Sequence, residues 1–211
     1  MFDAAAEFDH QVHTLLEKGY PALSGLTAAR FAALVAPLRA VARDRAAGAP
    51  APTPARVPFL LVISTDLVPG EAAMTRTALG TRAGFADFAP DDLARFRTVD
   101  GLAVPTAGAY LAFDVDRGEE FRNVTPEKAL LSIAERGRTP LTVAEGIAFI
   151  THHPDALEKN RCFSLAGSRA GDRRVPALWI SQRAPKLGWC WAGNPHTWLG
   201  CASAGGRAGA P

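Results

Sequence analysis

Four prolines lie close together in the first third of the chain, and they separate two stretches of different hydrophobic pattern. Pro50, Pro52, Pro54 and Pro58 fall within the segment 46–58, which is otherwise rich in alanine. Proline fixes φ and has no backbone N–H, so this segment can form neither a helix nor a central strand. We predict a semi-extended connector of polyproline character, which marks the best candidate boundary in the chain.

Residues 1–45, before the connector, carry apolar side chains at helical spacing. The first periodic stretch ends at Gly19, a residue type that commonly follows a helix. The second begins after Thr27, a favoured N-cap, and it contains Pro37. Because proline breaks a helix interior, we predict a kink or two short helices there.

After the connector the pattern changes to short apolar runs, which are typical of strands. Helix signals occur at Thr125-Pro126 and at Thr142, where Glu145 completes a capping box. We therefore predict a single α+β domain with N-terminal helices at 1–45, the connector at 46–58, a mixed β-sheet with covering helices at 59–203 and a flexible tail at 204–211. The runs expected to form strands are 59–68, 110–115, 162–167, 175–181 and 186–192, and the last three are expected to form an antiparallel β-meander.

Composition excludes several classes of protein. The chain has 211 residues, 23 of them basic and 21 acidic, and 48% are apolar, as in an ordinary globular domain. The longest apolar run, 58–63, is far too short to span a membrane, and no signal-peptide pattern opens the chain. Three cysteines do not describe a disulfide scaffold. We expect a cytoplasmic protein without a membrane partner. No P-loop, dinucleotide-binding, nucleophile-elbow or zinc-protease motif occurs, so no cofactor is predicted.

Charge and aromatic residues are unevenly distributed. Residues 1–160 carry 16 basic and 20 acidic side chains, whereas 161–211 carry seven basic side chains and one acidic side chain. The same final quarter holds all four tryptophans and all three cysteines. Codon bias explains an excess of alanine and arginine along a whole chain but not this concentration. The final quarter is therefore where we expect the functional site.

The loop 167–174 is the first candidate for ligand binding. It contains two glycines and the arginines Arg169, Arg173 and Arg174. Glycines let backbone N–H groups converge, and guanidinium groups bind phosphate, sulfate or carboxylate through paired hydrogen bonds. The alternative is a solvated hairpin tip whose arginines prevent edge-to-edge aggregation.

The segment 186–201 is the second candidate. On a strand, Trp189 and Trp191 share one face and small residues occupy the other, where a ligand or another element can approach closely. An Asn194-Pro195 turn directs His196 back toward the strand end, so the segment supplies aromatic walls, an amide and an imidazole. The alternative is a structural one, in which the tryptophans form a corner of the core.

The cysteines allow two further interpretations. Cys190, His196 and Cys201 with Cys162 would give a zinc ligand set, but the spacing lacks the short Cys-x2-4-Cys element of most structural zinc sites, so we predict no metal. A nucleophilic pair of Cys190 and His196 is also conceivable, because thiolate chemistry needs a nearby base. Most cysteines are simply small buried apolar residues.

Five sequence segments together indicate a relationship to other proteins: LEKGYPAL at 16–23, PLTVAEG at 140–146, CFSLAGSR at 162–169, RRVPALWIS at 173–181 and LGWCWAGNPHTWLG at 187–200. They resemble an actinobacterial family of domains of unknown function of about the same length, and the last segment is the most specific. The resemblance spans roughly residues 8–203 and agrees with the alanine- and arginine-rich composition of a GC-rich genome. It implies no activity, cofactor or catalytic residue.

Our leading hypothesis is an enzyme or binding protein for a small anionic metabolite. His196, with Cys190, is the acid–base candidate, because imidazole readily transfers protons near neutral pH. The remaining predicted binding residues hold the anion or line the pocket: Arg169, Arg173, Arg174, Lys186, Trp189, Trp191, Asn194 and Trp198. The alternative hypothesis is a non-catalytic adaptor for an acidic partner protein or a single-stranded nucleic acid, because aromatics interleaved with cations suit base stacking. A net charge of only +2 and the lack of a nucleic-acid motif count against nucleic acid, while a second copy of the chain is a further possible partner.

Overall fold

The N-terminal helices form as the sequence predicts. The computed structural model describes residues 2–210. The Asp3 carboxylate accepts hydrogen bonds from the N–H groups of Ala5 and Ala6 and so caps the first helix. The predicted break at Pro37 is confirmed, because one helix ends at Val35 and the next begins at Leu38. The four helices are α1 (Ala4–Glu17), α2 (Tyr20–Leu23), α3 (Ala28–Val35) and α4 (Leu38–Arg45).

The strands of the structure build two larger sheets and two small ribbons. Both sheets have five strands, and each ribbon is a single antiparallel pair. The strands, in chain order, are β1 (Arg56–Ile63), β2 (Ala78–Leu79), β3 (Arg82–Ala83), β4 (Phe85–Ala86), β5 (Arg97–Thr98), β6 (Ala109–Asp116), β7 (Thr139–Pro140), β8 (Cys162–Ser164), β9 (Ser168–Arg169), β10 (Arg174–Ser181), β11 (Ala184–Trp191), β12 (Leu199–Cys201), β13 (Ser203–Ala204) and β14 (Gly206–Ala208).

β6 is the centre of the first sheet. On one side it pairs antiparallel with β1, from Arg56 opposite Asp116 to Ile63 opposite Ala109. β1 therefore begins inside the segment expected to be a connector, and it includes Pro58. The missing N–H of Pro58 is tolerated because β1 is an edge strand. On its other side β6 pairs with β13 and β14, and β13 also pairs with β7.

The prediction of a flexible tail at 204–211 is wrong for Ala204, which belongs to β13, and for the residues of β14. Gly206 lies opposite Phe113 and Ala208 opposite Leu111, so this segment is part of the first sheet. Arg207 also forms a buried ion pair with Glu145. The strand could not be predicted, because a stretch of small residues with one arginine lacks the alternating apolar pattern of a strand. The ion pair could not be predicted either, because its two residues are 62 positions apart in the sequence.

The second sheet contains the predicted β-meander. β8, β10 and β11 pair antiparallel in succession, and Arg174 of β10 lies opposite Trp191 of β11. Two short strands extend the sheet in parallel orientation, β12 beside β8 and β4 beside β11. The ribbons are formed by β2 with β3 and by β5 with β9.

Three further helices complete the fold: α5 (Gly70–Met74), α6 (Pro126–Glu135) and α7 (Val143–His152). The predicted capping box of α7 is confirmed, because Thr142 accepts from the Glu145 N–H and the Glu145 carboxylate accepts from the Thr142 N–H. Almost every residue of α7 is buried. Its Phe149 ring lies 5.5 Å from that of Phe163 in β8, in one core that also contains Phe8 of α1 and Phe59 of β1.

The architecture is thus α+β, with N-terminal helices and C-terminal strands, as the sequence predicts. In residues 2–210 no helix combines the length and the apolar character needed to cross a membrane.

Candidate functional site

Six of the predicted site residues line one cleft on the second sheet. We call it the tryptophan cleft, and its volume is about 270 Å³. It is formed by the middle of β10, the end of β11 and the loop that leads into β12. Its lining consists of Ala177, Trp179, Trp189, Cys190, Trp191, Asn194, His196, Trp198 and Leu199.

The pairing of β10 with β11 positions Trp179, a lining residue that the sequence analysis did not single out. A Cβ atom at Gly188 would lie only 2.3 Å from the Trp179 ring, so only glycine lets the indole lie against the β11 backbone. Gly188 sits opposite Ala177, two positions from Trp179, on the same face of the sheet. The small residues that alternate with Trp189 and Trp191 in the sequence therefore indicated that a large side chain packs on the face they occupy, and that side chain is Trp179.

The aromatic rings of the cleft are in mutual contact. The ring centroids of Trp179 and Trp198 are 6.2 Å apart in an edge-to-face arrangement, and those of His196 and Trp198 are 5.2 Å apart. Trp189 and Trp191 form a second edge-to-face pair at 4.9 Å. The fractional exposure of Trp191 is 47%, which is high for a tryptophan. The cleft therefore has fixed aromatic walls and an open rim.

The His196 loop is tied to the rest of the fold through its backbone. The carbonyl oxygen of His196 accepts a hydrogen bond of 2.8 Å from the N–H of Asn123. A second cleft of about 460 Å³ shares Trp179 and Trp198 with the first and continues to Lys159 and Asn160. The two indoles thus line both open spaces.

Cys190 lies in an environment that does not favour a thiolate. Burial, the largest cause, and the neighbouring Cys201 together raise the pKa of its thiol to about 12. The thiol is therefore protonated near neutral pH. Within residues 2–210 no side-chain hydrogen bond joins Cys190 to His196, and no cluster of three or more metal-ligating side chains is found. The acid–base role of His196 stays a prediction.

Two of the predicted cations are held by carboxylates elsewhere. Arg174 pairs with both oxygens of Asp92 and also with Asp172, and its guanidinium lies 5.6 Å from the Trp189 ring centre. Lys186 pairs with Asp87, and its ammonium lies 5.1 Å from the centre of the Trp179 ring. Neither residue lines the cleft, although each stacks on one of its tryptophans.

The other two predicted cations differ in their availability. Arg169 is half-buried in β9 and donates a 3.0 Å hydrogen bond to the carbonyl of Asp172. The side chain of Arg173 is 70% exposed and lies 3.5 Å from the exposed Glu127 carboxylate. A Cβ atom at Gly193 would lie 2.7 Å from Nη2 of Arg173, so this guanidinium sits beside the loop that carries Asn194. Arg173 is therefore the exposed predicted cation beside the loop that carries Asn194, although it does not line the cleft itself.

Comparison with known proteins agrees with the resemblance described above at the level of the family. No curated protein and no solved structure matches the chain. A family model described as "Family of unknown function (DUF5701)" matches residues 14–210, which is nearly the whole chain. The chain therefore belongs to this family of unknown function.

Proposed function

We propose that this protein binds a small, flat organic anion in the tryptophan cleft. The observation that carries the proposal is the convergence of Trp179, Trp198, His196 and Asn194 on one open, mostly apolar cleft. Small-molecule sites are typically apolar and aromatic concavities with a few fixed polar groups, and this cleft has that composition.

The walls favour a planar ligand. Indole rings offer large flat surfaces and interact best with other rings through edge-to-face or offset contacts. The ring pairs of Trp179 with Trp198 and of His196 with Trp198 adopt edge-to-face and tilted geometry, in which one ring covers only part of its partner's face and leaves aromatic surface for a ligand. Asn194 and His196 supply the hydrogen-bonding groups that would orient the ligand.

The charge of the ligand follows from Arg173. Arg174 and Lys186 are neutralised by close carboxylates, whereas among residues 2–210 the one carboxylate within 4.0 Å of the Arg173 guanidinium is that of the exposed Glu127, at 3.5 Å. An exposed pair of this kind contributes little, so a ligand carboxylate can displace Glu127 at small cost. A guanidinium can bind that carboxylate through two parallel hydrogen bonds. The location that we propose is the cytoplasm of an actinobacterial cell, in keeping with the three free cysteines and the alanine- and arginine-rich composition.

The test is fluorine NMR of protein labelled with 5-fluorotryptophan, which gives one resonance for each of the four tryptophans. The probes are benzoate and indole-3-carboxylate, each compared with its uncharged carboxamide. We expect the carboxylates to shift the Trp179 and Trp198 resonances in a saturable way. Arg173→Ala should weaken carboxylate binding about tenfold, as loss of a charged hydrogen-bonded pair does.

Arg43→Ala is the matched control, because Arg43 is similarly exposed and has one carboxylate neighbour, but lies on α4. It should leave binding unchanged. Resonances that do not move, or carboxamides that bind as tightly as the carboxylates, would contradict the proposal.

The exposure of Trp191 supports a second candidate, the binding of single-stranded nucleic acid by base stacking. Fluorescence anisotropy with a labelled oligothymidine distinguishes it. Affinity that falls steeply with salt would favour nucleic acid, because phosphate binding releases counterions. The pairing of Arg174 and Lys186 with carboxylates favours the small-molecule proposal.

A further inference from the structure

A second cavity lies at the end of β1 and shares no lining residue with the tryptophan cleft. We call it the hydroxyl cavity, and its volume is about 260 Å³. Five segments of the chain contribute to it: the turn after β1, residues 96–98 at β5, residues 104–110 at the start of β6, the start of α7 and Ser168 of β9. Its wall carries the hydroxyl groups of Ser64, Thr65, Thr98, Thr106, Thr142 and Ser168.

The inner wall of the cavity is fixed by buried hydrogen bonds. Ser168 is 3% exposed, and its Oγ accepts a 3.0 Å hydrogen bond from the N–H of Val143. Tyr110, which also lines the cavity, donates to the Glu145 carboxylate at 3.2 Å. That carboxylate is in turn held by Arg207. A pocket whose polar groups are held in this way does not have to reorganise when a ligand enters.

Glycine in the loop 167–171 makes this arrangement possible. A Cβ atom at Gly167 would lie 2.7 Å from the carbonyl oxygens of both Pro140 and Leu141. Only glycine therefore lets the loop approach the segment before α7 closely enough for Ser168 to reach Val143. The loop that the sequence analysis singled out for its arginines thus contributes a serine to the wall of the cavity.

Two charged side chains of opposite sign border the cavity. Arg97 and Asp66 are both exposed and both line it. In the described range, neither has an oppositely charged group within 4.0 Å. They therefore do not neutralise each other across the cavity. Each is free to pair with a ligand.

We infer that the hydroxyl cavity binds a small zwitterion of the free α-amino acid class. The Arg97 guanidinium would receive the carboxylate and the Asp66 carboxylate the ammonium group. A simple anion would be repelled by Asp66, and a simple cation by Arg97, so a ligand with both charges fits best. Phe96, Val104 and Val143 supply apolar wall for the ligand's side chain.

The size of the cavity agrees with this class. Drug-sized ligands occupy pockets of roughly 300–1,000 Å³, and this cavity lies just below that range. The start of α7 does not by itself form the site, because the N–H groups of Thr142, Val143 and Glu145 already have partners. The inference depends on the cavity and its two unpaired charges.

The test is saturation-transfer NMR of the full chain with each standard amino acid, followed by calorimetry on those that bind. Every binder is compared with its N-acetyl derivative, which lacks the ammonium group, and with its amide, which lacks the carboxylate. We expect both derivatives to bind at least about tenfold more weakly than the free amino acid, as loss of a charged hydrogen-bonded pair predicts.

Variants assign the two ends of the ligand. Arg97→Ala should remove the preference for the free amino acid over its amide, and Asp66→Asn the preference over the N-acetyl derivative. Arg82→Ala and Asp100→Asn are matched controls, because these residues are also exposed but do not line the cavity. The inference is overturned if no standard amino acid gives saturable binding. It is also overturned if the Arg97→Ala and Asp66→Asn proteins keep the same preference for the free amino acid over its derivatives as the control proteins.

Discussion

His152 gives the fold a defined sensitivity to acid. It is buried near the end of α7, and its Nε2 lies 2.9 Å from the carbonyl oxygen of Leu61 in β1. The neutral imidazole donates Nε2–H to that carbonyl, while Nδ1 is buried without a partner among residues 2–210. Burial is the largest cause that lowers the pKa of His152, from 6.5 to about 3. The native protein therefore keeps this imidazole neutral.

The direction of the pH effect on stability follows from comparing the protonation of His152 in the unfolded and native states. In the unfolded chain His152 takes up a proton near its ordinary value of 6.5, whereas in the native state it does so only near pH 3. Its contribution to stability is complete above about pH 6.5 and is lost as the pH falls toward 3. The slope is about 1.4 kcal/mol per pH unit, and the full difference is about 5 kcal/mol.

We expect His152→Gln to remove this slope, because glutamine can still donate to Leu61 but takes up no proton. Urea unfolding followed by far-UV circular dichroism measures the free energy of unfolding at each pH. Between about pH 7 and pH 5 the wild type should lose about 2 kcal/mol more than the variant. The half-buried His153 is present in both proteins, so its own contribution cancels.

His13→Gln is the matched control, because His13 is 66% exposed on α1. As the pH is lowered, the free energy of unfolding of the His13→Gln protein should fall nearly as much as that of the wild type. If His152→Gln and the wild type lose stability in parallel, the imidazole is not held neutral and the reasoning is refuted.

Three further predictions concern stability and reactivity. Arg207→Met should lower the free energy of unfolding by about 3–5 kcal/mol, because it leaves the fully buried Glu145 carboxylate unpaired; a urea-unfolding loss below about 1 kcal/mol would contradict this. Gly118→Ala should cost at least about 2 kcal/mol in the same assay, since φ is +71° and a Cβ would lie 2.0 Å from the Cys201 carbonyl. Ellman's reagent should label the thiols of Cys190 and Cys201 only after unfolding, because burial raises their pKa to about 12 and about 11; rapid labelling of the native protein would oppose it.

Gly137 provides the control for the glycine substitution. Its φ is +66°, but no atom lies within 4 Å of the position that a Cβ would take. Gly137→Ala therefore measures the backbone strain alone, about 1 kcal/mol. A cost equal to that of Gly118→Ala would show that the contact with Cys201 contributes nothing.

The local features of the fold could be predicted from the sequence. The capping box joins Thr142 to Glu145 over three residues, and Pro37 ends a helix through its own ring. The β-meander follows from apolar runs, two of which flank the glycine-containing loop 167–174. The turn between β10 and β11 gave no such signal, because Gln182 and Arg183 adopt positive φ there without glycine. In each case the determining contact lies within a few residues.

The charge pairing could not be predicted, because the partners are far apart in sequence. Arg174 is 82 residues from Asp92, and Arg207 is 62 residues from Glu145. An arginine-rich loop has the same sequence whether its guanidinium groups face a ligand or a carboxylate of the same chain. The environment of the tryptophans was easier to predict. The small residues on the strand face opposite Trp189 indicated that a bulky group packs there.

The hydroxyl cavity could not be predicted from the sequence for a related reason. Serine and threonine are common in turns, so Thr65, Thr98 and Thr106 give no signal individually. Only the folded chain brings them next to Ser168. Arg97 and Asp66 were likewise inconspicuous among 44 charged residues, 23 basic and 21 acidic.

The position of β14 beside β6 also has a consequence for the order in which the chain folds. β1 and β6 can pair once residue 116 is in place, but the opposite side of β6 then lacks its neighbours until 203–208 arrive. In that interval a nearly continuous apolar strand presents unpaired N–H and C=O groups, which is the arrangement that recruits strands from other chains. The pairing of β13 and β14 with β6 ends this exposure, so the sheet is protected from pairing with other chains only after residues 203–208 have joined it.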